Sequence, residues 1–281
     1  MAKLFGVIGN RSELLGNALA TLDPVLRVRT EASQRPYSWG LGFYQAGDIL
    51  LRRRPSDDRE TLDFSPLASD LSTDLLLGHV RAGDATTALR NENTQPFRYR
   101  QWLFAHQGSI AAAGSIRDRI SANIAEFLQR NIRGESDSEV LFFLLLSFMH
   151  DYLQLDHPIA HDRFVNAVSS ALSLLDSLAA EVNSPPFSLN AVLSNGEQII
   201  AVHSEPKTAD FSTAMFVRTL NADDMNLEPR LDRSDRVRFH CVASQFSAAQ
   251  SSDVARSWTR LSSRAMVWAT KDGDRPKIVT F

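Results

Sequence analysis

Three short stretches carry side chains whose types suit the capture of a free amino acid. Gly78-His79-Val80-Arg81-Ala82 reads as a buried strand that delivers an arginine to its end. Phe104-Ala105-His106-Gln107-Gly108-Ser109-Ile110 delivers an amide side chain and a glycine in the same way. Gly134-Glu135-Ser136-Asp137-Ser138-Glu139 is an acidic turn. A guanidinium grips a carboxylate through two parallel N–H donors. An aspartate holds an ammonium, and an amide beside a glycine N–H can cradle an oxyanion. Singly, each residue has a plainer account: Arg81 as a surface arginine, Asp137 as a helix N-cap. His79 and His106 sit inside apolar runs and read as core histidines. No spacing motif makes a metal site of His79, Asp84 and His106.

The 281 residues are 43% hydrophobic, ample for a sizeable core. The net charge of −3 gives no footprint for nucleic acid or an anionic membrane, and Arg52-Arg53-Arg54 is the single basic run. One cysteine, Cys241, excludes an intrachain disulfide and a cysteine-based metal site, which fits a reducing, cytoplasmic compartment. The first residues lack the pattern of a signal peptide. The most apolar run, Val140 to Met149, is too short to span a bilayer.

The elements that must position these side chains follow from periodicity. Residues 3–9 read as a buried strand. Ser12 caps a helix over Glu13 to Leu22, which Asp23-Pro24 ends. Residues 27–37 form a loop. Trp39 to Tyr44 and Ile49 to Arg53 form a hairpin, and 55–72 is irregular. Leu75 to Arg81 is a strand, Asp84 to Gln95 a loop, and Pro96 to Tyr99 with Gln101 to Ala105 a second hairpin. A helix over 115–131 places Ile116, Ile120, Ile124, Phe127 and Leu128 on one face. Ser136 or Asp137 caps a helix that is apolar nearly all round from Val140 to Leu153, with Glu139 placed for a capping box. Pro158 opens a third helix, striped by Phe164, Val168, Ala171, Leu172, Leu175, Leu178 and Val182, and Pro185-Pro186 ends it. Asn195-Gly196 joins another hairpin. Further strands fall at 213–218, 238–243, 264–269 and 277–281. Strands, a helical block, then strands make an α+β chain with largely antiparallel sheets and one domain over 1–281.

Six stretches in order resemble the class II glutamine amidotransferases, a branch of the N-terminal-nucleophile hydrolases, and among them the small stand-alone type. These are the N-terminal run Lys3-Leu4-Phe5-Gly6, then Trp39-Gly40-Leu41-Gly42-Phe43, His79-Val80-Arg81, Glu92-Asn93-Thr94-Gln95-Pro96-Phe97, Phe104-Ala105-His106-Gln107-Gly108, and Gly134 to Glu139. A weaker echo is Val242-Ala243-Ser244 before Trp258. The resemblance implies a four-layer αββα sandwich. It implies that residue 2, exposed by loss of Met1, supplies both nucleophile and base. A cysteine thiol there attacks the amide carbon of glutamine, and the α-amine, with an ordinary pKa of about 7.7–8.0, moves the proton. By the same resemblance Gln107 and Gly108 stabilise the oxyanion, Arg81 grips the substrate α-carboxylate, Asp137 holds the α-ammonium, and Trp39 is core or pocket wall. No cofactor and no metal are implied.

Three positions depart from the family pattern. Position 2 is alanine, which cannot form a thioester; position 107 is glutamine where asparagine is usual; position 95 is glutamine where histidine is usual. The extra methylene at 107 moves the amide donor by roughly 1.5 Å. Cys241 lies mid-strand and reads as a buried structural thiol. Either a natural cysteine at position 2 has been replaced, or the chain is a natural pseudoenzyme that binds glutamine or a γ-glutamyl compound. The resemblance implies that an ammonia acceptor, a synthase, would be another protein, or that the amide lies within a larger γ-glutamyl compound. Self-association is open.

Overall fold

The computed structural model describes residues 2–82, 89–108, 110, 113–152, 161–184, 188–205, 214–227, 237–244 and 257–281. The start of the third helix at Pro158, its end at Pro185-Pro186, and Asp84 and Ser109 lie outside the described residues.

Two antiparallel sheets stack face to face. In the first, the order is β13 (Thr259–Arg260), β11 (Met215–Leu220), β12 (Phe239–Ser244), β1 (Ala2–Gly9), β6 (Leu75–Ala82), β3 (Tyr37–Gln45) and β4 (Asp48–Asp57). In the second it is β15 (Lys277–Thr280), β14 (Ala265–Thr270), β10 (Gln198–Ser204), β9 (Leu189–Ser194), β8 (Trp102–Gly108) and β7 (Phe97–Tyr99). A two-stranded ladder joins β2 (Val28–Arg29) to β5 (Thr61–Leu62).

Side-chain alternation along each strand assigns three cores. Leu4 and Ile8 of β1 meet Leu103, Ala105, Val192, Ile199 and Ala201 between the sheets. Phe5 and Val7 point the other way, against α1 (Leu15–Leu26) and α2 (Phe64–Leu67). On the far side, Phe104 and Leu193 pack against α3 (Ala113–Ala122), α5 (Asp137–Tyr152) and α6 (His161–Glu181). Helix, sheet, sheet, helix is the four-layer αββα order expected. The helix from Val140 onward is buried on nearly every side because it lies between the second sheet and α6.

Several local expectations change. Ser12 opens a 3₁₀ turn over Ser12–Leu14 and caps nothing; its Oγ accepts from Ser72. Helix α1 passes through Pro24 to Leu26. The proline forfeits one backbone bond, but Leu15, Ala18, Leu19, Leu22, Val25 and Leu26 are all buried along one stripe. The buried ammonium of Lys3 donates to the Val25 carbonyl at the helix end, where the helix dipole favours a cation. The expected loop over 27–37 holds β2, and the expected irregular stretch holds the end of β4, β5 and α2. Pro55 is tolerated there because β4 is an edge strand.

The helix over 115–131 is two helices. It breaks after Ala122 and resumes as α4 (Glu126–Gln129), with the Ala125 N–H donating to Ser147 Oγ (2.9 Å). The Ile116, Ile120, Ile124, Leu128 stripe stays buried across the break, while Phe127 turns outward and is 41% exposed. Val182, the last residue of the expected stripe, lies past the end of α6 and is also exposed. Glu139 does not complete a capping box on Ser136: its carboxylate instead accepts from the N–H groups of Arg133 (3.1 Å) and Gly134 (2.6 Å).

Candidate active site

Residue register brings the candidate site together at one end of the stacked sheets. Ala2 opens β1 directly opposite Arg81 on β6, and Arg81 is opposite Ser38 on β3. Cross-strand partners share a face. Ala2 therefore points with Leu4 into the space between the sheets, and Arg81 points there with Leu75 and Leu77. From the opposing sheet, Gln107 belongs to the face of β8 that carries Leu103 and Ala105. Its Nε2 donates to the Ala2 carbonyl at 3.4 Å, tying the ends of the two sheets.

Gly108 ends β8 with φ of 136°, and a Cβ there would stand 2.3 Å from the Ser188 carbonyl oxygen. Only glycine fits this position. Beyond it, the Ile110 N–H donates to Asp137 Oδ2 (2.9 Å), and Ser138 Oγ lies 3.4 Å from Oδ1. Asp137 is the first residue of α5, but the capping oxygen is Ser136 Oγ, which accepts from the Glu139 N–H at 3.2 Å. One oxygen of the Asp137 carboxylate thus fixes the segment after Gly108 to the helix start.

The acidic turn is built by residues to which the sequence alone gave no role. Arg117 on α3 donates to the carbonyls of Gly134, Glu135 and Ser136 at 3.2, 3.0 and 3.3 Å. The buried Asn93 side chain accepts from the Glu135 N–H at 2.9 Å. Gln95 is buried as well. Its amide donates to the His106 carbonyl at 3.0 Å and accepts from the His106 N–H at 2.5 Å. Strand β7 pairs with β8 only as far as Phe104, so the Gln95 side chain supplies the next rung of the ladder. The Glu92–Phe97 motif is a brace for the site. Its signal was present as buried-type polar residues in fixed order, but the partners lie far along the chain.

Asn190 is a further missed residue. It sits opposite Gln107 on β9 and opposite His203 on β10, and His203 Nδ1 lies 2.6 Å from Asn190 Oδ1. An asparagine inside Leu189-Asn190-Ala191-Val192-Leu193 was the available signal. His203 is fully buried, with Nε2 3.6 Å from Glu205, which in turn meets Arg260 at 2.9 Å. Burial holds the His203 pKa below the ordinary imidazole value against the pull of Glu205.

His79 and His106 are buried, as their apolar runs suggested. Burial first, then the neighbouring Arg81 guanidinium and His106 ring, pulls the His79 pKa down to about 3. Burial lowers His106 too, opposed by the Asp137 charge, and its Nδ1 lies 2.9 Å from Ser138 Oγ. No cluster of three potential metal ligands occurs among the described residues.

Trp39 stands apart from the other site candidates. It projects from the opposite face of the first sheet into the core under α1, with Phe5 and Leu41. Its Nε1 donates to Asp57 Oδ2 at 2.8 Å, and Arg59 lies over its ring. Burial would raise the Asp57 pKa, but hydrogen bonds from Arg59 and Trp39 bring it down to about 2. Of the two roles weighed for Trp39, core is the one its position serves. Cys241 pairs with Val7 and also faces that outer core. Burial pushes its thiol pKa well up. Five residues and the opposite face separate it from Ala2, a distance of about 17 Å along the strand.

The arrangement puts Arg81 and Gln107 at the sheet ends where β1 begins, with the Gly108 turn next and Asp137 tied to the segment after it. No curated protein matches the sequence. Among solved structures, a glutamine aminotransferase class-II domain protein from Silicibacter pomeroyi superposes with a TM-score of 0.62 at 18% identity, covering 99% of each chain. A predicted glutamine amidotransferase from Pseudomonas aeruginosa gives 0.53 at 16%, covering 96% of this chain and 98% of that one. The glutamine phosphoribosylpyrophosphate amidotransferase of B. subtilis gives 0.56 at 15%, with 99% of this chain matched to 49% of the larger enzyme. These likenesses establish the fold. The family model for class II glutamine amidotransferases matches residues 1–278, and it is to that family that this chain belongs.

Proposed function

We propose that this chain binds glutamine or a γ-glutamyl compound at the Ala2 end of the sheets, and that a cysteine at position 2 makes it a γ-glutamyl amidohydrolase. The observation that carries this reading is the register pair Ala2–Arg81, which sets the arginine's strand position directly opposite the first residue of β1. Arg81 takes the substrate α-carboxylate as a fork, and Asp137 takes the α-ammonium. With Cys at position 2, the thiol sulfur attacks the γ-amide carbon and its proton passes to the α-amine. The Gln107 amide and the Gly108 N–H receive the oxyanion. The α-amine returns the proton to the leaving nitrogen, ammonia or an amine departs, and water hydrolyses the thioester to release the glutamyl acid. The chain as written has a methyl group at that position and no turnover.

The same reading takes residues 1–281 as one domain, supported by a family match over 1–278. It places the protein in the cytoplasm, where the lone buried Cys241 stays reduced. Ammonia, where it is the product, passes to a synthase on a separate chain. In the described residues no helix is long and apolar enough to cross a membrane.

A second reading, a natural ligand-binding protein without turnover, is favoured by one observation. The Gln107 amide is turned to the Ala2 carbonyl, so the extra methylene has moved an oxyanion donor onto the backbone. The experiment that separates the two is glutaminase activity of Ala2→Cys, with loss of Met1 confirmed by intact mass. Release of glutamate is the expected result. A correctly processed Ala2→Cys protein that binds glutamine yet releases none, from glutamine or simple γ-glutamyl amides, refutes the hydrolase reading and leaves the binding one. In the Ala2 chain, Arg81→Ala is expected to weaken glutamine binding by at least about tenfold, the worth of one charge-assisted pair.

A further inference from the structure

A concavity lies at the open edge of the sandwich, away from Ala2. It has a volume of about 800 Å³, within the range of small-molecule sites. Edge strand β4 of one sheet and edge strand β7 of the other form its walls, and the turn before α5 closes it. In the order β1, β6, β3, β4 its wall is three strands from Ala2, about 14 Å away.

Four guanidiniums line it: Arg53, Arg98, Arg100 and Arg133. Arg53 is the informative one. It lies on the inner face of β4 over Gly40 and donates to two carbonyl oxygens, Pro96 and Asn91, the latter at 3.4 Å. Its Nε is buried and makes no hydrogen bond, and it forms no ion pair among the described residues. Burial lowers its pKa to about 10 in spite of Glu139 and Glu92 nearby. Its hydrogen bonds go to neutral carbonyls and no carboxylate among the described residues contacts it directly, so an incoming anion would supply the paired charge it lacks.

The two carboxylates in the wall do not fill that role. Glu139 is already engaged by two backbone N–H groups, and Glu92 is exposed on the rim. Tyr99 and Phe143 meet edge to face at 5.6 Å and give the cleft an apolar floor, which strengthens charge interactions above it. Arg100 sits over the Tyr99 ring at 5.7 Å, with its backbone at φ of 49°, and Arg98 reaches back to the Ile49 carbonyl at 2.9 Å. The arginines that line the cleft therefore come from both sheets and from the turn leading into α5.

We propose that this cleft is a binding site for a small molecule carrying two or more phosphate or carboxylate groups, separate from the Ala2 end of the sheets. A concave site of this size favours a small ligand over a protein segment.

The test is isothermal titration calorimetry on the full chain at low ionic strength, with inorganic pyrophosphate and citrate as probes. The expected result is saturable one-to-one binding of at least one probe, with Kd below about 1 mM. Binding of pyrophosphate alone assigns the site to phosphates, and of citrate alone to carboxylates. Arg98 and Arg133 are exposed, so an Arg98→Ala, Arg133→Ala double variant should remain folded, which circular dichroism checks. It should bind at least tenfold more weakly. A control, Arg275→Ala with Lys277→Ala, removes equal charge from an exposed surface outside the cleft. Absence of saturable binding of either probe overturns the proposal, as does equal weakening in the two double variants, which would mark diffuse charge attraction.

Discussion

Lowering the pH from 7.5 to 5.0 should destabilise this protein through His79. The side chain is 3% exposed on β6, two residues before Arg81 and on the same face. Burial first, then the neighbouring Arg81 guanidinium and His106 ring, bring its pKa from 6.5 to about 3. A group whose folded pKa is depressed binds fewer protons in the native state than in the unfolded one between those values. Stability therefore rises with pH through that window and is lost as pH falls from 6.5 toward 3. At pH 5.0 the unfolded imidazole is almost wholly protonated and the folded one neutral, which costs about 2 kcal/mol relative to pH 7.5. The figure is governed by the unfolded pKa: any folded value well below 5 gives nearly the same number. Urea denaturation of the parent and of His79→Gln at both pH values measures it. His203 and His240, whose pKa values are also lowered and which do not act on His79, contribute alike to both proteins and cancel in the comparison. The parent should lose about 2 kcal/mol more than the variant over this range. Equal losses would mean that His79 is protonated in the folded state at pH 5, and the burial argument for it would be wrong.

Other perturbations test the placement of the remaining residues. Trp39→Phe removes the hydrogen bond to Asp57 and should cost about 1–2 kcal/mol in urea unfolding while leaving glutamine affinity unchanged, because the ring is on the far face; a matching loss of affinity would return Trp39 to the pocket. In Gly40→Ala a new Cβ would fall 2.2 Å from the Gln95 carbonyl, against backbone, so the thermal midpoint should drop by several degrees. Gln95→Ala strips partners from both backbone groups of His106, and a destabilisation of about 2–4 kcal/mol is expected from chemical denaturation.

What the chain made legible depended on whether the signal was local. The strands around Arg81 and Gln107, the apolar-all-round helix and the Asn195-Gly196 hairpin are each written in consecutive residues, and they fold as read. Helix α1 was cut short because a proline is a strong local breaker, whereas its cost is offset by Val25 and Leu26 packing against the distant first sheet. Trp39 was ambiguous for a similar reason. Alternation says which residues share a face but not which face meets the other sheet, and only the Ala2–Arg81–Ser38 register decides that. The braces Asn93, Arg117 and Asn190 each join segments at least 13 positions apart, so their partners could not be read from neighbours.

The same long-range contacts bear on the three departures from the family pattern. Counted separately, the changes at 2, 95 and 107 suggest a site that has drifted. Yet Gln95 and Gln107 act on one strand. The Gln95 side chain clamps the backbone of His106 on both its N–H and its carbonyl, and the next residue is Gln107. A clamp at 106 sets where the backbone of 107 lies, and hence how far its side chain must reach to meet the Ala2 carbonyl. On this geometry a long amide at 95 and a long amide at 107 would form one structural adjustment. The pair should be energetically coupled. In a double-mutant cycle, Gln107→Asn in the Gln95→His background should differ in its effect on glutamine binding from Gln107→Asn alone by about 0.5–3 kcal/mol, the range for residues in one hydrogen-bond network. Additive effects would make them separate events. Coupling would leave alanine at position 2 as the one independent loss in the site.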